Sequence, residues 1–510
     1  MLSYRSQLIL LSAFSGIAGF ASFPRLDQGY LAWVALVPLL LAVAKARRAR
    51  DAFLAGLTAG VLQWAALLVW IPRVLVLYGG VPAAVAWLML LLLAVYMALF
   101  GATACALTRY CMKCDTRWLM LFPWAWVSLE LMRTYCILDG FPWLLVGYTQ
   151  TSWLPLIQVA DLSGVFGVTF LVVWINAAIA WLWIFGARKA AAFGPLLLGL
   201  ALVAACLAYG QARLKQWHGG AAPYHAAILQ GNLAFEDPYA VLAWKFRDGY
   251  LKMADALPIS RPDLLVLPET PAPCSYQHDS EYRSAMAALA RRTALGMVLS
   301  NIHHADTPGN ARYFNSAYFL DANGQERARY DKIRLVPFGE YVPWRSLFFF
   351  ADAITQDVGA FHPGRSFEVV TIAGHPMSAI ICFEAIFPQL ARRFAREGSG
   401  LLINLTNDQW YGASAAPYQH FQMVRWRAVE NRRYVIRAAN SGISAIIEPT
   451  GDVQTSTGLR RAEVCVGKFS FLSSQTFYSR HGDWFAALCA IITAIALGWC
   501  ARKRGRRGRV

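Results

Sequence analysis

Long apolar stretches, broken by short basic segments, fill the first two hundred residues of the chain. A bilayer span needs about 20 predominantly apolar residues. Stretches near that length fall at about 6–23, 29–44, 52–71, 81–107, 118–133, 165–185, 190–210 and 484–501. The pattern predicts eight transmembrane helices, seven within residues 1–211 and one at 484–501. The first stretch lacks a small-residue cleavage site and is followed at once by another span, so it reads as a retained helix rather than a signal peptide. Between about 220 and 475 the pattern changes. Charges return, and apolar runs shorten to strand length at Ala226–Leu229, Leu264–Leu267, Met297–Leu299, Ala379–Cys382 and Leu401–Leu405. Helix-like stretches at 236–256, 280–293, 386–397 and 418–432 lie between them. Short apolar strands alternating with helices predict an α/β domain with a buried sheet.

Composition and charge sharpen this reading. Apolar residues make up 57% of the chain and charged residues 15%, against about a quarter charged in soluble domains. The net charge of +17 would suit nucleic acid, but the basic residues cluster beside apolar segments. With the N-terminus inside, the inner loops carry Lys45, Arg47, Arg48 and Arg50, then Arg109, Lys113 and Arg117, then Arg188 and Lys189. The tail at 502–510 carries Arg502, Lys503, Arg504, Arg506, Arg507 and Arg509. The outer loops hold Arg25 and Arg73, with Arg133 near an outer helix end. The positive-inside rule then places both termini in the cytoplasm and residues 212–483 outside it. No nucleic-acid partner is expected.

The ten cysteines form no disulfide framework, and Cys111 and Cys114 make a C-x-x-C without a second pair. His303-His304 has no metal-ligand spacing, and His420, on a helix-like run, reads as a packing or hydrogen-bonding residue. No Gly-rich phosphate loop is present, so neither metal, nucleotide nor other cofactor is expected. Glu130 and Arg133 lie three apart on one helical face. At membrane depth such a pair is a functional candidate, with a structural ion pair as the alternative.

Three segments carry candidate chemistry. In Leu264-Leu265-Val266-Leu267-Pro268-Glu269-Thr270 an apolar strand ends in a carboxylate. Tyr330-Asp331-Lys332-Ile333-Arg334-Leu335-Val336-Pro337-Phe338-Gly339-Glu340 is dense in charge and turn formers. In Ser378-Ala379-Ile380-Ile381-Cys382-Phe383-Glu384 a strand delivers a cysteine just before a helix, where the helix N-terminus is expected to lower the thiol's pKa.

Glu, Lys and Cys in this order, each at a strand end or turn of one α/β domain, resemble the nitrilase (carbon–nitrogen hydrolase) superfamily, with its α-β-β-α sandwich. With its membrane flanks the whole chain resembles the bacterial apolipoprotein N-acyltransferases. Matching words are Trp143-Leu144-Leu145-Val146-Gly147-Tyr148, Gln230-Gly231-Asn232, Pro268-Glu269-Thr270, Leu335–Pro343, Asn407-Asp408-Gln409-Trp410-Tyr411-Gly412 and Asn440-Ser441-Gly442-Ile443-Ser444. The resemblance implies Cys382 as nucleophile and Glu269 as general base. It implies that Lys332, with a backbone N–H at Cys382 or Phe383, holds the oxyanion. It also implies that Glu340, on an active-site loop, and Phe383 and Glu384, beside the nucleophile, bind substrate, Glu384 positioning the loop or the amine, with a structural role as the alternative for Glu340 and Glu384.

The implied reaction has two half-steps. A phospholipid, typically phosphatidylethanolamine, gives an acyl chain to the cysteine as a thioester. The α-amine of a lipoprotein's N-terminal diacylglyceryl-cysteine then takes it. The same resemblance implies a monomer in the bacterial inner membrane with its catalytic domain in the periplasm. Trp344–Phe350, with Val342, reads as an interfacial lid or a core strand. The chain departs from the pattern at Ala234-Phe235, at Phe383, where some members carry Tyr, and at Arg334, where His is frequent. Two other classes fit less of the chain: a membrane-anchored amidase whose thioester is resolved by water, and a non-catalytic membrane assembly or transport protein.

Overall fold

A computed structural model describes residues 3–136, 140–186, 190–217, 222–234, 241–243, 246–259, 261–307, 310–342 and 361–507. The chain divides into two compact units: residues 1–73, 82–216 and 481–510, and residues 74–81 with 217–480.

The first unit is helical. Four of its described helices are long and apolar enough to cross a membrane: Ala83–Met112, Ala160–Phe185, Ala190–Trp217 and Trp484–Arg506. A fifth span results if Ala49–Leu67 and Ile71–Leu77, bent by 49°, are counted together. The other predicted spans form shorter pieces. Stretch 6–23 lies largely in the 18-residue helix Tyr4–Ala21. Stretch 29–44 is one turn, Gly29–Trp33, followed by Val37–Lys45. Stretch 118–133 is a turn ending at Leu121 followed by Phe122–Tyr135. Pro38 and Pro123 occupy the first turns of the two later helices. A proline is accommodated there but not in a helix interior, so neither stretch runs as one helix.

Small residues bring two helices together. A β-carbon on Gly56 would lie 2.7 Å from Ala102 Cα, and one on Gly60 would lie 2.6 Å from Ala98 Cβ. This is the small-residue packing that membrane helices use where burial of apolar surface gives no drive.

Glu130 and Arg133 are buried within this unit and tie a loop in place. Glu130 Oε1 accepts from Val146 N at 3.0 Å and Trp126 Nε1 at 3.2 Å, and Oε2 accepts from Thr169 Oγ1 at 3.0 Å. Arg133 lies 3.9 Å from Glu130, donates to the Trp143 carbonyl at 3.2 Å and covers the Trp64 ring. Both side chains line a cavity together with Gln63, Trp64 and Trp126. In these contacts the pair ties helix to loop, as the structural alternative expects.

The second unit is an α/β domain with two six-stranded sheets. In chain order the strands are β1 (Tyr224–Gln230), β2 (Leu264–Val266), β3 (Gly296–Thr307), β4 (Asn310–Asp321), β5 (Glu326–Asp331), β6 (Val370–Ile372), β7 (His375–Ile381), β8 (Leu401–Thr406), β9 (Tyr434–Ala439), β10 (Ala445–Ile447), β11 (Val453–Ser456) and β12 (Glu463–Phe469). One sheet runs β12-β1-β2-β3-β4-β5 and the other β11-β10-β9-β8-β7-β6. β1, β2 and β3 are parallel, as are β7, β8 and β9.

Both faces of the central strands are buried. Ala227, Leu229, Leu265, Leu267, Met297 and Leu299 pack against Tyr282, Met286 and Leu289 of the helix Ser280–Ala290. The alternate residues Ile228, Val266 and Val298 are equally buried and point the other way, because side chains alternate along a strand. The five predicted strands are all present. Helices Pro388–Arg396 and Ala416–Asn431 match two more expected stretches. Of stretch 236–256 the described part is helical at 241–243 and again, after a wide turn, at Leu251–Asp255. The expected lid, Trp344–Phe350, lies outside the described residues.

Candidate active site

Strand ends deliver the candidate groups. Pro268 lacks the N–H that would continue the β2 ladder, and Glu269 follows it. Lys332 is the first residue after β5, and Cys382 the first after β7. Strand ends of this kind are where open α/β sheets bind ligands. Thr270, Phe338 and Cys382 all have positive φ, of 44°, 62° and 50°. Residues with a β-carbon avoid that region at a cost of about 1–3 kcal/mol each, and such strain gathers at functional sites.

The three groups converge, although they are far apart in the chain. Glu269 is 7% exposed, Lys332 1% and Cys382 5%. Lys332 Nζ donates to Glu340 Oε1 at 2.9 Å and lies 3.4 Å from Glu269 Oε1. The Cys382 thiol lies within electrostatic reach of both the Glu269 carboxyl and the Lys332 ammonium. Asn315 of β4 completes the arrangement, its single Nδ2 donating to Glu269 Oε1 at 2.7 Å and to Glu340 Oε1 at 2.8 Å. Glu269 Oε2 accepts from the backbone N–H of Asn407 at 2.9 Å, and Glu340 Oε2 from that of Val336 at 2.8 Å. One ammonium and one amide thus hold two carboxylates side by side.

The electrostatics follow from burial and from that charge count. Burial raises the pKa of Glu269, and Glu340 adds to the rise against the pull of Lys332. Burial opposes the charge on Lys332, but Glu340, Glu269 and Cys382 outweigh it and hold the ammonium protonated. The Cys382 thiol is pushed well up, first by burial and then by Glu269, with Lys332 opposing. The expected lowering by a helix N-terminus is therefore not found. The element that starts at Cys382 is a single tight turn, Cys382–Ile386, too short for a helix dipole, and a buried carboxylate faces the sulfur. Burial and the facing carboxylate thus favour the thiol form of Cys382 over the thiolate.

Glu384 has no exposed surface. Its Oε1 accepts from Ile333 N, Arg334 N and Tyr330 Oη at 2.7, 3.1 and 2.8 Å, and its Oε2 from Ile381 N at 2.8 Å. It braces the Lys332 loop against the Cys382 turn. Phe383 is buried edge-on to Phe387, and the Arg334 guanidinium lies over the same Phe387 ring.

Three other matching words of this domain are bonded to one another beside the site. Gln230 Oε1 accepts from Ser444 Oγ at 2.6 Å, and Asn232 N donates to the Asn440 carbonyl at 2.8 Å. The Asn440 side chain reaches Leu233 and Asn407. Asn315 has no counterpart among the sequence expectations. A polar residue in mid-strand carries no signal until pairing registers it opposite two carboxylates. The hydrogen bond expected of His420 is present, and its partner is the Cys382 carbonyl, at 3.1 Å.

Comparison with known proteins assigns both halves of the chain. The family described as "Apolipoprotein N-acyltransferase N-terminal domain" matches residues 15–178, and "Carbon-nitrogen hydrolase" matches residues 225–475. Apolipoprotein N-acyltransferase of Geobacter metallireducens is 36% identical, the match covering 97% of this chain and 95% of that one. The enzyme of that name from Chromobacterium violaceum is 32% identical over 98% of this chain and 95% of its own. Among solved structures, a carbon–nitrogen hydrolase from Helicobacter pylori is similar with a TM-score of 0.37 and 17% identity, covering 48% of this chain and 88% of that one. The relatives are bacterial, and the apolar helices fit a membrane protein. With a near-full-length match above 30% identity, the chain belongs to the apolipoprotein N-acyltransferase family.

Proposed function

We propose that this protein moves an acyl chain from a phospholipid to the α-amino group of a lipoprotein's N-terminal diacylglyceryl-cysteine, through a thioester on Cys382. The observation that carries the reading is the meeting of a buried thiol, a raised-pKa carboxylate and a fixed ammonium in one site.

In the first half-step Glu269 takes the thiol proton as Sγ attacks the ester carbonyl. The oxyanion develops beside Lys332 Nζ and the backbone N–H of Phe383. On collapse the ester C–O bond breaks, and the departing lysophospholipid oxygen takes the proton from Glu269. In the second half-step the α-amine attacks the thioester carbonyl, Glu269 accepts its proton, and the C–S bond breaks to return the thiol. Thioesters react readily with amines, and both substrates are lipids of the surface in which the helices would sit. In this scheme Glu340 and Asn315 fix the carboxylate and the ammonium, and Glu384 fixes the two loops. Phe383 contributes its backbone.

We further propose eight membrane crossings, seven within residues 1–211 and one at 484–501, with residues 220–475 as the periplasmic catalytic domain. Both termini, including the basic tail 502–510, are assigned to the cytoplasmic side of the inner membrane, and the protein to a monomer. The distribution of Lys and Arg supports this orientation. Phosphatidylethanolamine labelled in its acyl chains, supplied with a diacylated lipopeptide, tests the function. Labelled N-acyl lipopeptide is expected. Labelled free fatty acid without it would assign the protein to hydrolysis instead.

A further inference from the structure

The left-handed φ of Cys382 needs a partner to hold it, and the partner comes from the helix Ala416–Asn431. His420 Nε2 lies 3.1 Å from the Cys382 carbonyl oxygen. Behind the ring is a second, fully buried charge cluster that the acyl-transfer steps do not use. Asp408 Oδ1 lies 3.1 Å from His420 Nδ1 and accepts from Thr406 Oγ1 at 3.0 Å. Arg437 Nη2 lies 2.6 Å from Asp408 Oδ2 and 3.3 Å from His420 Nδ1, and the guanidinium also donates to the Asn404 side chain and the Ile443 carbonyl. Gly442 closes the cluster, since a β-carbon there would collide with the Asp408 carboxylate.

Burial opposes the charge on Asp408, but Arg437 and His420 outweigh it and hold the pKa at about 2. Burial, then Arg437, pushes His420 below its ordinary value, against Asp408. A carbonyl oxygen can only accept, so His420 Nε2 donates to the Cys382 carbonyl, while Asp408 Oδ1 and Arg437 Nη2 hold the ring at Nδ1.

A peptide unit is planar, with its carbonyl and N–H on opposite edges. Fixing the Cys382 carbonyl therefore fixes the direction of the Phe383 N–H. We propose that His420 is a positioning residue that acts through the 382–383 peptide to aim the backbone donor of the oxyanion site, and that the Asp408–Arg437 pair holds its ring in place. His420 passes no proton, and Glu269 carries the one that moves. The proposal rests on the acyl-transfer reading and names the group that pre-arranges its oxyanion donor.

The test uses the full-length protein with phosphatidylethanolamine, comparing wild type, His420→Leu and His420→Gln. Three quantities are read: the single-turnover rate of Cys382 acylation, the KM for phospholipid, and the rate at which chloroacetamide alkylates Cys382. Alkylation displaces chloride at a saturated carbon and forms no oxyanion. His420→Leu should slow acylation by about 10- to 100-fold, as loss or misplacement of an oxyanion donor does, with KM and alkylation unchanged. His420→Gln, whose amide N–H reaches toward the Nε2 position, should recover most of the rate. Wild-type acylation in His420→Leu, a parallel fall of acylation and alkylation, or loss of folded protein in both variants would overturn the proposal. Wild-type protein that is alkylated but never acylated would instead remove the acyl-transfer reading.

Discussion

Two buried acid–base pairs, one in each unit, divide along their partners. Glu130 and Arg133 are 5% and 2% exposed, and Glu269 and Lys332 are 7% and 1%. Burial alone does not tell them apart. Apart from Arg133, Glu130 is held by a backbone N–H, an indole and a hydroxyl, none of which exchanges a proton near neutral pH. Glu269 faces an ammonium, a second carboxylate and a thiol. Glu384 lies in the same domain as Glu269 but is wired like Glu130, to backbone N–H groups and a phenol. A buried carboxylate becomes reactive where its neighbours can themselves give up or accept charge. Where its neighbours are fixed donors it is a brace.

Substitutions test that division, beginning with the largest expected effect. Cys382→Ala should lower N-acylation by at least about 10³-fold, as loss of a nucleophile does, with folded protein still recovered from the membrane. A rate near wild type in a lipopeptide acylation assay would erase the distinction. Lys332→Met should cost about 10²- to 10³-fold in the acylation rate, the range for losing an oxyanion donor. A change in KM alone would reassign Lys332 to substrate binding.

Arg133→Met should behave in the opposite way. Removing one partner of a buried pair costs about 3–5 kcal/mol of stability, so the melting temperature should fall while kcat per folded molecule is kept. A large fall in kcat without destabilisation would move that pair into the functional class.

The smallest effect is on pH dependence. Glu269 must be ionised to accept the thiol proton, and its pKa is raised by burial and then by Glu340. Single-turnover acylation should therefore rise with pH along a limb centred above the ordinary carboxylate value. Lys332, held protonated, should add no loss up to mildly alkaline pH. The amine half-step should rise further toward alkaline pH, because the α-amine must be neutral to attack. An acylation limb at or below pH 4.5 would show that Glu269 is not the base.

Glu269 and Cys382 are readable because each follows a short apolar strand, as in Leu267-Pro268-Glu269 and Ile381-Cys382, and Lys332 because it stands in a segment dense in charge and turn formers. Their supports are not. Asn315 reads as an ordinary polar residue of β4, and its meeting with two carboxylates depends on strand register and on the 337–341 turn that presents Glu340. Asp408, His420 and Arg437 come from three separate elements, and no local pattern joins them. β5, with the sequence Glu-Arg-Ala-Arg-Tyr-Asp, has no apolar run to mark it, although it delivers Lys332. The local strand-to-helix pattern points the thiol's pKa downward because it shows neither the burial nor the carboxylate opposite. In the membrane unit, hydropathy located the apolar stretches, but Pro38 and Pro123 broke two of them into shorter helices.

Mass spectrometry of the purified protein after incubation with phosphatidylethanolamine tests the central claim most directly. The account predicts an acyl adduct on the peptide containing Cys382, formed in wild type, absent in Glu269→Gln, and discharged when a diacylated lipopeptide is added. Turnover of phospholipid and lipopeptide with no adduct on Cys382, or with the adduct on another residue, would contradict it.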